Sequence, residues 1–321
     1  SSDLEDVEIN NLKIQNNSSY YQRAFIPIIR SALDNYSEII SDEEKSVFSS
    51  IMEQLNDSAQ KLFIRLFFRK DGWIRRDKLV YADVSNVDLA IKQLTSLTLC
   101  TKDSGDLISE FVNLFTLAEL KFVASKLFIK VTSSMQKEEI VKAILNSKTS
   151  SQQQQISFAP NSGKMTLEKR KNDKIELIRS VCGGSIIKIC DNVRTAIDMA
   201  VTLHFMINND GAATSKESLS TAILAELNRV SYPKYKVNRK NPIFRTRSDY
   251  TEYFEALELE KSLSDAEFEY DEVHLQAFER GLLNCDSYGS YFLRRYSSGW
   301  VYTRIMNFIA AQLESSKEYQ K

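Results

Sequence analysis

The sequence is poor in the residues that interrupt helices, with only 9 glycines and 4 prolines among 321 residues. Apolar residues recur at spacings of three and four, which is the period of an amphipathic helix. Hydrophobic residues make up 43% of the chain, enough to build buried cores in two or three domains. We therefore predict a mainly α protein.

Histidine and cysteine are also scarce, and their placement excludes the common zinc sites. The two histidines are His204 and His274, and the four cysteines are Cys100, Cys182, Cys190 and Cys285. They include no CxxC pair and no recognisable ligand spacing. We interpret the cysteines as reduced thiols of an intracellular protein.

Long apolar runs are absent as well. No stretch approaches the roughly 18 apolar residues that a membrane span needs. The first 20 residues are acidic and polar, unlike a secretory signal. The sequence therefore predicts neither export nor membrane insertion.

A net charge of −1 conceals strong segregation of charge along the chain. The formal charges sum to −7 over residues 1–60, +5 over 61–79, +7 over 149–250 and −6 over 251–321. A basic middle between acidic ends allows a chain of almost neutral charge to present a nucleic-acid-binding face.

The stretch KLFIRLFFRKDGWIRRDKL, residues 61–79, carries seven Lys or Arg against two Asp. Lys61, Arg65 and Arg69 are four residues apart and so line one stripe of a predicted helix. Such a stripe is either the solvated face of the helix or a phosphate-binding surface. The abundance of arginine, and the lack of an acid four residues after Lys61 or Arg65, favour phosphate binding.

The elements after this helix resemble a winged-helix unit. The helix should end near residues 71–72, where Asp is followed by Gly. A short strand at 73–75, a helix at 84–94 and a β-hairpin arm at 97–100, turning near 104–105, are predicted to follow. Helix, strand, helix and hairpin together are the pattern of a winged-helix-like unit.

Residues 114–145 predict two short helices joined by a polar turn. Thr116 and Glu119 form a capping box that opens the first helix, and residues 133 and 136 form one that opens the second. Packing of the two apolar faces would leave outside the lysines Lys121, Lys126, Lys130, Lys137 and Lys142. The pair resembles the SAP-type DNA-binding helical pair, although it lacks the usual glycine in the turn before Lys137. An αα-hairpin that binds no nucleic acid is the alternative.

No acidic residue occurs between Glu226 and Asp249, where basic residues are interleaved with aromatic ones. The basic residues are Arg229, Lys234, Lys236, Arg239, Lys240, Arg245 and Arg247. This mixture suits an extended segment lying on a phosphate backbone, or alternatively a solvated basic loop. The Ser/Gln-rich stretch at residues 149–163 is interpreted as a linker.

The sequence does not indicate a catalytic site. Glu119-Leu-Lys121 matches the Glu-x-Lys element of restriction-type nucleases, but it lies in a predicted helix where Glu119 is explained as a cap. Residues 182–185 lack the Lys-Ser/Thr that completes a phosphate loop. We predict no catalytic and no metal-binding residue, and we expect the chain alone to be catalytically inert.

Five motifs occur in the order seen in the Fanconi-associated nuclease family. They are YYQRAFIPIIRSAL, QKLFIRLFFRKDGWIR, the SAP-like pair, YPKYKVNRKNPIFRTRSDYTEY and LRRYSSGWVYTRIM. The resemblance implies a winged-helix-like and SAP DNA-binding region, then a helical TPR-like region, then a C-terminal nuclease domain that needs Mg²⁺ or Mn²⁺. It also implies 5′-flap endonuclease and 5′-to-3′ exonuclease activity of the intact protein on branched DNA, during interstrand crosslink repair in the nucleus.

We therefore predict that the chain is the DNA-binding portion of such a nuclease, ends as the helical region begins and holds no cofactor itself. The predicted domains are a winged-helix-like domain at 1–112, the SAP-type pair at 113–148, a linker at 149–163 and a helical region at 164–321. The predicted DNA contacts are Lys61, Arg65, Arg69, Lys70, Arg75, Arg76, Lys121, Lys126, Lys137, Lys234, Lys236, Arg239, Lys240 and Arg245. The alternatives are a non-catalytic helical scaffold that binds protein partners and an RNA-binding SAP protein.

Overall fold

The computed structural model describes residues 20–69, 71–103, 107–132, 134–147, 167–205, 215–231, 242–265, 272–284 and 293–315. These residues are mostly helical, as predicted, and include one small sheet. The chain divides into two compact units, one formed by Ser1–Gln22 and Ser49–Thr195 and the other by Arg23–Phe48 and Ala196–Lys321. The domain boundaries drawn from the sequence stay a prediction.

The helices of the described residues, in chain order, are α1 (Tyr20–Tyr36), α2 (Asp42–Ser49), α3 (Asp57–Phe68), α4 (Val87–Ser96), α5 (Ile108–Asn113), α6 (Leu117–Lys126), α7 (Lys137–Asn146), α8 (Leu167–Val181), α9 (Asp191–Phe205), α10 (Ser215–Glu226), α11 (Arg247–Asp265), α12 (Glu272–Asn284) and α13 (Ser298–Ser315). The strands are β1 (Ile74–Arg75), β2 (Cys100–Asp103) and β3 (Ile186–Ile189). A π-helical turn at Ser50–Gln54 and 3₁₀ turns at Arg76–Lys78 and Arg294–Tyr296 complete the set. No helix in these described ranges combines the length and the apolar character needed to cross a membrane.

Helix α3 begins where the sequence offers a cap and a buried face. The side chain of Asn56 accepts a hydrogen bond from the Ala59 N–H, which satisfies one of the unpaired donors at the helix start. Leu62, Phe63 and Phe67 are fully buried. The basic stripe is therefore held on a helix whose opposite side is fixed in the core.

The strands of the first unit form a three-stranded antiparallel sheet in the order β1-β3-β2. The predicted hairpin is wrong in its pairing, because β2 pairs with β3, with Cys100 opposite Ile189. Strand β3 lies at the centre of the sheet, where Ile186 and Ile187 are buried, and β1 and β2 form its two edges. The predicted turn at 104–105 lies outside the described residues.

The predicted pair of short helices is present as α6 and α7. Their apolar faces join α5 and the end of α8 in one core, in which Leu120, Val123, Ile140 and Ile144 are fully buried. The second helix begins three residues later than its predicted capping box implies. The Glu139 carboxylate accepts a hydrogen bond from the Gln136 backbone N–H at 2.8 Å, so the cap lies at residue 136.

The far end of α7 is closed by a lysine from α8. The Lys174 ammonium donates hydrogen bonds to the carbonyl oxygens of Ile144 (2.7 Å) and Ser147 (3.2 Å) and to the Ser147 hydroxyl (3.0 Å). These carbonyls have no partner within α7, and a cation there complements the helix dipole. Both ends of α7 are therefore closed by side chains, Glu139 at its start and Lys174 at its end.

The second unit is a helical assembly in which α11 and α12 both pack against α13. Gly281 permits the close approach of α12, because a side chain there would meet the Met306 Cγ at 2.6 Å. Arg247 forms a bidentate ion pair with Glu44 at 2.9 Å, joining the start of α11 to α2. An aromatic cluster around the buried Phe244 fills the adjacent core.

Candidate nucleic-acid interface

The basic stripe of α3 is half-buried, and partners within the protein partly neutralise its cations. Lys61 contacts the Asp57 carboxylate at 2.6 Å, four residues before it on the same helix. Arg69 donates a hydrogen bond to the Lys78 carbonyl oxygen at 3.0 Å, and Lys70 lies outside the described residues. The lack of an acid four residues after Lys61 therefore does not leave Lys61 unpaired, because Asp57 lies four residues before it.

Arg65 lies between two aromatic rings. Its guanidinium carbon is 4.9 Å from the ring centre of Tyr21 and 4.8 Å from that of Tyr81, and one of its nitrogens contacts the Asp83 carboxylate at 2.9 Å. The Arg65 Nε has no hydrogen-bond partner within the part of the chain that the structure describes. Burial raises the pKa of the neighbouring Tyr20 to about 12, so that phenol stays neutral. No local pattern in the sequence indicates this arrangement, because Tyr21 and Tyr81 are far apart along the chain.

Arg75 requires a correction, because it is not available to DNA. Its side chain is only 5% exposed. It makes paired hydrogen bonds to Asp77 (2.9 and 2.7 Å) and contacts both Glu119 oxygens at 2.8 Å and the Val181 carbonyl oxygen at 3.0 Å. Burial alone would lower the pKa of Arg75. The hydrogen bonds with Asp77 and Glu119 outweigh burial and raise the pKa above the usual value for arginine. Arg75 therefore links β1 to α6 and the end of α8.

A glycine allows this arrangement to close. Gly183 has φ +73, and a side chain there would lie 2.7 Å from the Asp77 Cβ. Gly183 therefore permits the close approach of Asp77, the partner of Arg75. Arg76, the next residue, points to a different partner: it forms a bidentate pair with Asp88 at 2.7 and 2.9 Å near the surface.

The lysines of the helix pair form the second basic surface. Lys121, Lys126, Lys130, Lys137 and Lys142 are all exposed. Across the described residues none of the five makes an ion pair. Lys137 donates a weak hydrogen bond to the Asn113 carbonyl oxygen at 3.3 Å, and Lys126 lies 5.6 Å from the ring centre of Phe122. This surface therefore offers its positive charge to a partner.

The predicted contacts in the third basic segment are mostly undescribed. Lys234, Lys236, Arg239 and Lys240 lie outside the described residues. Arg245 is exposed, and its backbone N–H donates to the Asp249 carboxylate at 3.0 Å. The role of this segment stays a prediction.

The Glu-x-Lys triplet has a structural explanation. Glu119 closes the capping box with Thr116, whose backbone N–H donates to it at 2.8 Å, and it pairs with Arg75. Among the described residues no group of three His, Cys, Asp or Glu side chains is arranged to hold a metal ion.

Comparison with known proteins relates this chain to one family. Residues 19–101 match the family described as FAN1, HTH domain. The chain is 29% identical to Fanconi-associated nuclease 1 of Homo sapiens and 28% identical to that of Mus musculus, each over 94% of its length. It is also 29% identical over 77% of its length to the Fanconi-associated nuclease 1 homolog of Schizosaccharomyces pombe. The chain spans about a third of the length of these relatives, 31%, 31% and 34%.

Two solved structures share the fold. They are crystal structures of paFAN1 bound to 5′-flap DNA with a gap, one with a 2-nucleotide and one with a 1-nucleotide flap. The first has a TM-score of 0.54 at 14% identity and covers 95% of this chain and 55% of that chain. The second has a TM-score of 0.52 at 16% identity and covers 92% and 46%. These structures share the fold, and the sequence matches confirm the resemblance found in the motifs: the chain is similar to the Fanconi-associated nucleases over most of its length.

Proposed function

We propose that this chain is the DNA-binding portion of a structure-specific DNA nuclease that acts on flapped or branched DNA. The observation that carries the proposal is the outer surface of the α6–α7 pair, where five exposed lysines have no carboxylate partner among the described residues. Unpaired lysines on a rigid helix pair are suited to phosphate oxygens. The relationship to proteins named Fanconi-associated nuclease 1 over most of the chain supports DNA as the polyanion.

The α3 stripe extends this surface in a weaker form. Lys61, Arg65, Arg69 and Arg76 each hold an internal partner that a phosphate would have to share or displace. Exposed ion pairs are worth at most about 1 kcal/mol. A phosphate could therefore displace the exposed acids Asp57 and Asp88 with little loss of free energy. These cations would position the duplex and would not read its sequence.

The intact parent protein is proposed to cut DNA with residues that lie elsewhere. By family relationship we propose 5′-flap endonuclease and 5′-to-3′ exonuclease activity, supported by Mg²⁺ or Mn²⁺, during interstrand crosslink repair in the nucleus. The solved paFAN1 structures hold 5′-flap DNA, which supports the choice of substrate. In this proposal the present residues hold the substrate, and a separate nuclease domain supplies the metal ligands.

Binding to a labelled 5′-flap DNA, measured at several salt concentrations, tests the proposal. If about five cations contact phosphates, the logarithm of the association constant should fall with the logarithm of salt concentration with a slope of roughly −4 to −5. A helical scaffold that binds only protein partners would not bind the flap DNA at moderate salt. An RNA-binding protein would lose the flap DNA to an RNA competitor of equal length.

Cleavage is tested in the same samples. With Mg²⁺ or Mn²⁺ added, the chain alone should bind the flap and leave it intact. Specific cutting that survives repurification would show that the chain contains an active site and would contradict this division of labour.

A further inference from the structure

The surface at the end of α6 displays two aromatic rings to solvent. The side chains of Phe122 and Phe128 are 49% and 89% exposed. Phenylalanine is among the residues most often buried, so two exposed rings within seven consecutive residues are unusual. Lys121, Lys126 and Lys130, which are also exposed, lie within two residues of these rings in the sequence or, for Lys126, 5.6 Å from the Phe122 ring centre.

Phe128 is displayed at a cost in backbone energy. The Phe128 N–H donates to the Ser125 carbonyl at 3.1 Å and the Ile129 N–H donates to the Ala124 carbonyl at 2.8 Å. This is the Schellman pattern that ends a helix, and it places Phe128 at the position where glycine is preferred. Its φ is +56°, in the left-handed region, which is unfavourable for a residue with a side chain. A strained and exposed aromatic residue is typical of a functional position.

A small cleft opens beside this turn. It has a volume of about 240 Å³ and is lined by Lys121, Ser125, Ile129, Val131 and Thr132. One ammonium group and two hydroxyl groups are donors suited to a phosphate, and the two apolar side chains suit a sugar. Ser125 and Ile129 lie on either side of Phe128 in the sequence, so the cleft and the exposed ring share one turn.

Exposed aromatic rings, cations and a donor-lined cleft together favour a single strand over a duplex. A duplex hides the faces of its bases, so exposed rings gain nothing from it. The bases of a single strand are free to stack on aromatic side chains while the phosphates follow the cations. Lys126, 5.6 Å from the Phe122 ring centre, places a cation and a ring on the same helix face.

We infer that the end of α6 and the following turn bind a single-stranded DNA segment. The cleft of Lys121, Ser125 and Thr132 receives a phosphate, and Phe122 and Phe128 stack against bases. The inference rests on the proposed function and deepens it, because it assigns the unpaired strand of a flapped substrate to this surface and leaves the duplex to the other basic surfaces.

The test compares two probes on the full chain, a labelled oligothymidine of about 12 nucleotides and a duplex of equal length. Phe122→Ala removes one ring. Phe128→Asn removes the other and keeps a residue that tolerates positive φ. Each variant should bind oligothymidine about tenfold more weakly, whereas duplex affinity should stay within about twofold. Leu283→Ala, which truncates an 83%-exposed side chain of the second unit, is the matched control and should change neither.

The outcomes separate this inference from the proposed function. If Phe122→Ala and Phe128→Asn bind oligothymidine as tightly as wild type, and the chain still binds duplex, the inference is overturned and the proposed function stands. Equal losses for both probes would show a general DNA surface and would overturn the assignment to a single strand. A wild-type chain that binds neither probe would overturn the proposed function itself. Melting curves of each variant show whether the fold is intact.

Discussion

The basic run at residues 61–79 and the lysines of the α6–α7 pair carry similar net positive charge but hold it differently. In the run, Lys61, Arg65, Arg75 and Arg76 contact carboxylates within the same unit. In the helix pair, the five exposed lysines make no ion pair across the described residues. The denser run therefore has less charge available to a partner than the sparser helix pair.

The difference arises from where the acids lie. The partners of the run are close in sequence or in the sheet: Asp57 precedes it, and Asp83 and Asp88 follow it. In the helix pair the Glu119 and Glu139 carboxylates cap helix starts, so they face backbone donors and leave the lysines unpaired. Availability of charge to a ligand depends on the placement of acids as well as on the number of cations.

The difference between the basic run and the helix pair predicts that the largest loss of stability follows substitution of Arg75. Arg75→Ala should lower the free energy of unfolding by about 3 kcal/mol, because Asp77, Glu119 and the Val181 carbonyl all lose their donor. Urea denaturation followed by circular dichroism measures this change. Arg76→Ala is the matched control, because it removes a surface pair and should cost less than about 1 kcal/mol. Equal effects of the two substitutions would refute the buried role of Arg75.

The second prediction concerns the helix pair. Replacing Lys121, Lys126, Lys137 and Lys142 by Gln should weaken binding to flap DNA at least about tenfold and make the salt slope shallower by about three units. The fold should persist, because all four side chains are exposed. The control replaces the same four lysines by Arg, which keeps the charge and should keep the slope. An unchanged slope in the Gln variant would place the DNA on another surface.

Local features of the helix pair could be predicted from the sequence because they depend on neighbours. The Thr116 and Glu119 cap joins residues three apart, and the buried faces of α6 and α7 follow the helical period. Helix α7 begins three residues later than the spacing predicts, because its cap forms at Gln136, whose backbone N–H donates to the Glu139 carboxylate.

The features that the sequence could not predict depend on distant residues. Arg75 meets Glu119 44 residues later and Val181 106 residues later. The tyrosines around Arg65 and the strand β3 come from separate parts of the chain. A pattern of local spacing contains no information on which distant acid or ring a cation will meet, which is why the spacing predicts a DNA contact at Arg75 although its partners lie within the fold.

The third prediction uses the pH dependence of Glu119. Burial alone would raise the pKa of Glu119, but hydrogen bonds from Thr116 and Arg75 outweigh it and leave the pKa below its usual value of 4.5. A carboxyl group with a lowered pKa stabilises the fold above its unfolded pKa, and this contribution is lost as the pH falls through the folded pKa. Wild type should exceed Glu119→Gln by about 1 kcal/mol in unfolding free energy at neutral pH. The gap should narrow as the pH falls below about 4.5.

Urea denaturation of both proteins at neutral pH and at about pH 4 measures this gap. Glu258→Gln is the control, since Glu258 is exposed on α11, and its gap to wild type should stay small at both pH values. A gap for Glu119→Gln that widens in acid would contradict the ion pair with Arg75.

The smallest predicted effect comes from removing the acids Asp57 and Asp88, which neutralise Lys61 and Arg76 of the basic run. Hydrogen bonds from Lys61 and Arg76 lower the pKa of Asp57 and Asp88, so both acids are ionised at neutral pH and compete with DNA phosphate for these cations. Their side chains are 67% and 78% exposed, so Asp57→Asn and Asp88→Asn should change stability by less than about 1 kcal/mol. Each substitution should raise DNA affinity about twofold and steepen the salt slope by up to about one unit, because a freed cation gains a phosphate.

Glu258→Gln makes the same change in charge on the second unit and should alter neither DNA affinity nor the salt slope. If the two Asn variants bind like wild type while the Gln variants of the helix pair bind weakly, the basic run serves the fold and DNA is held by the helix pair.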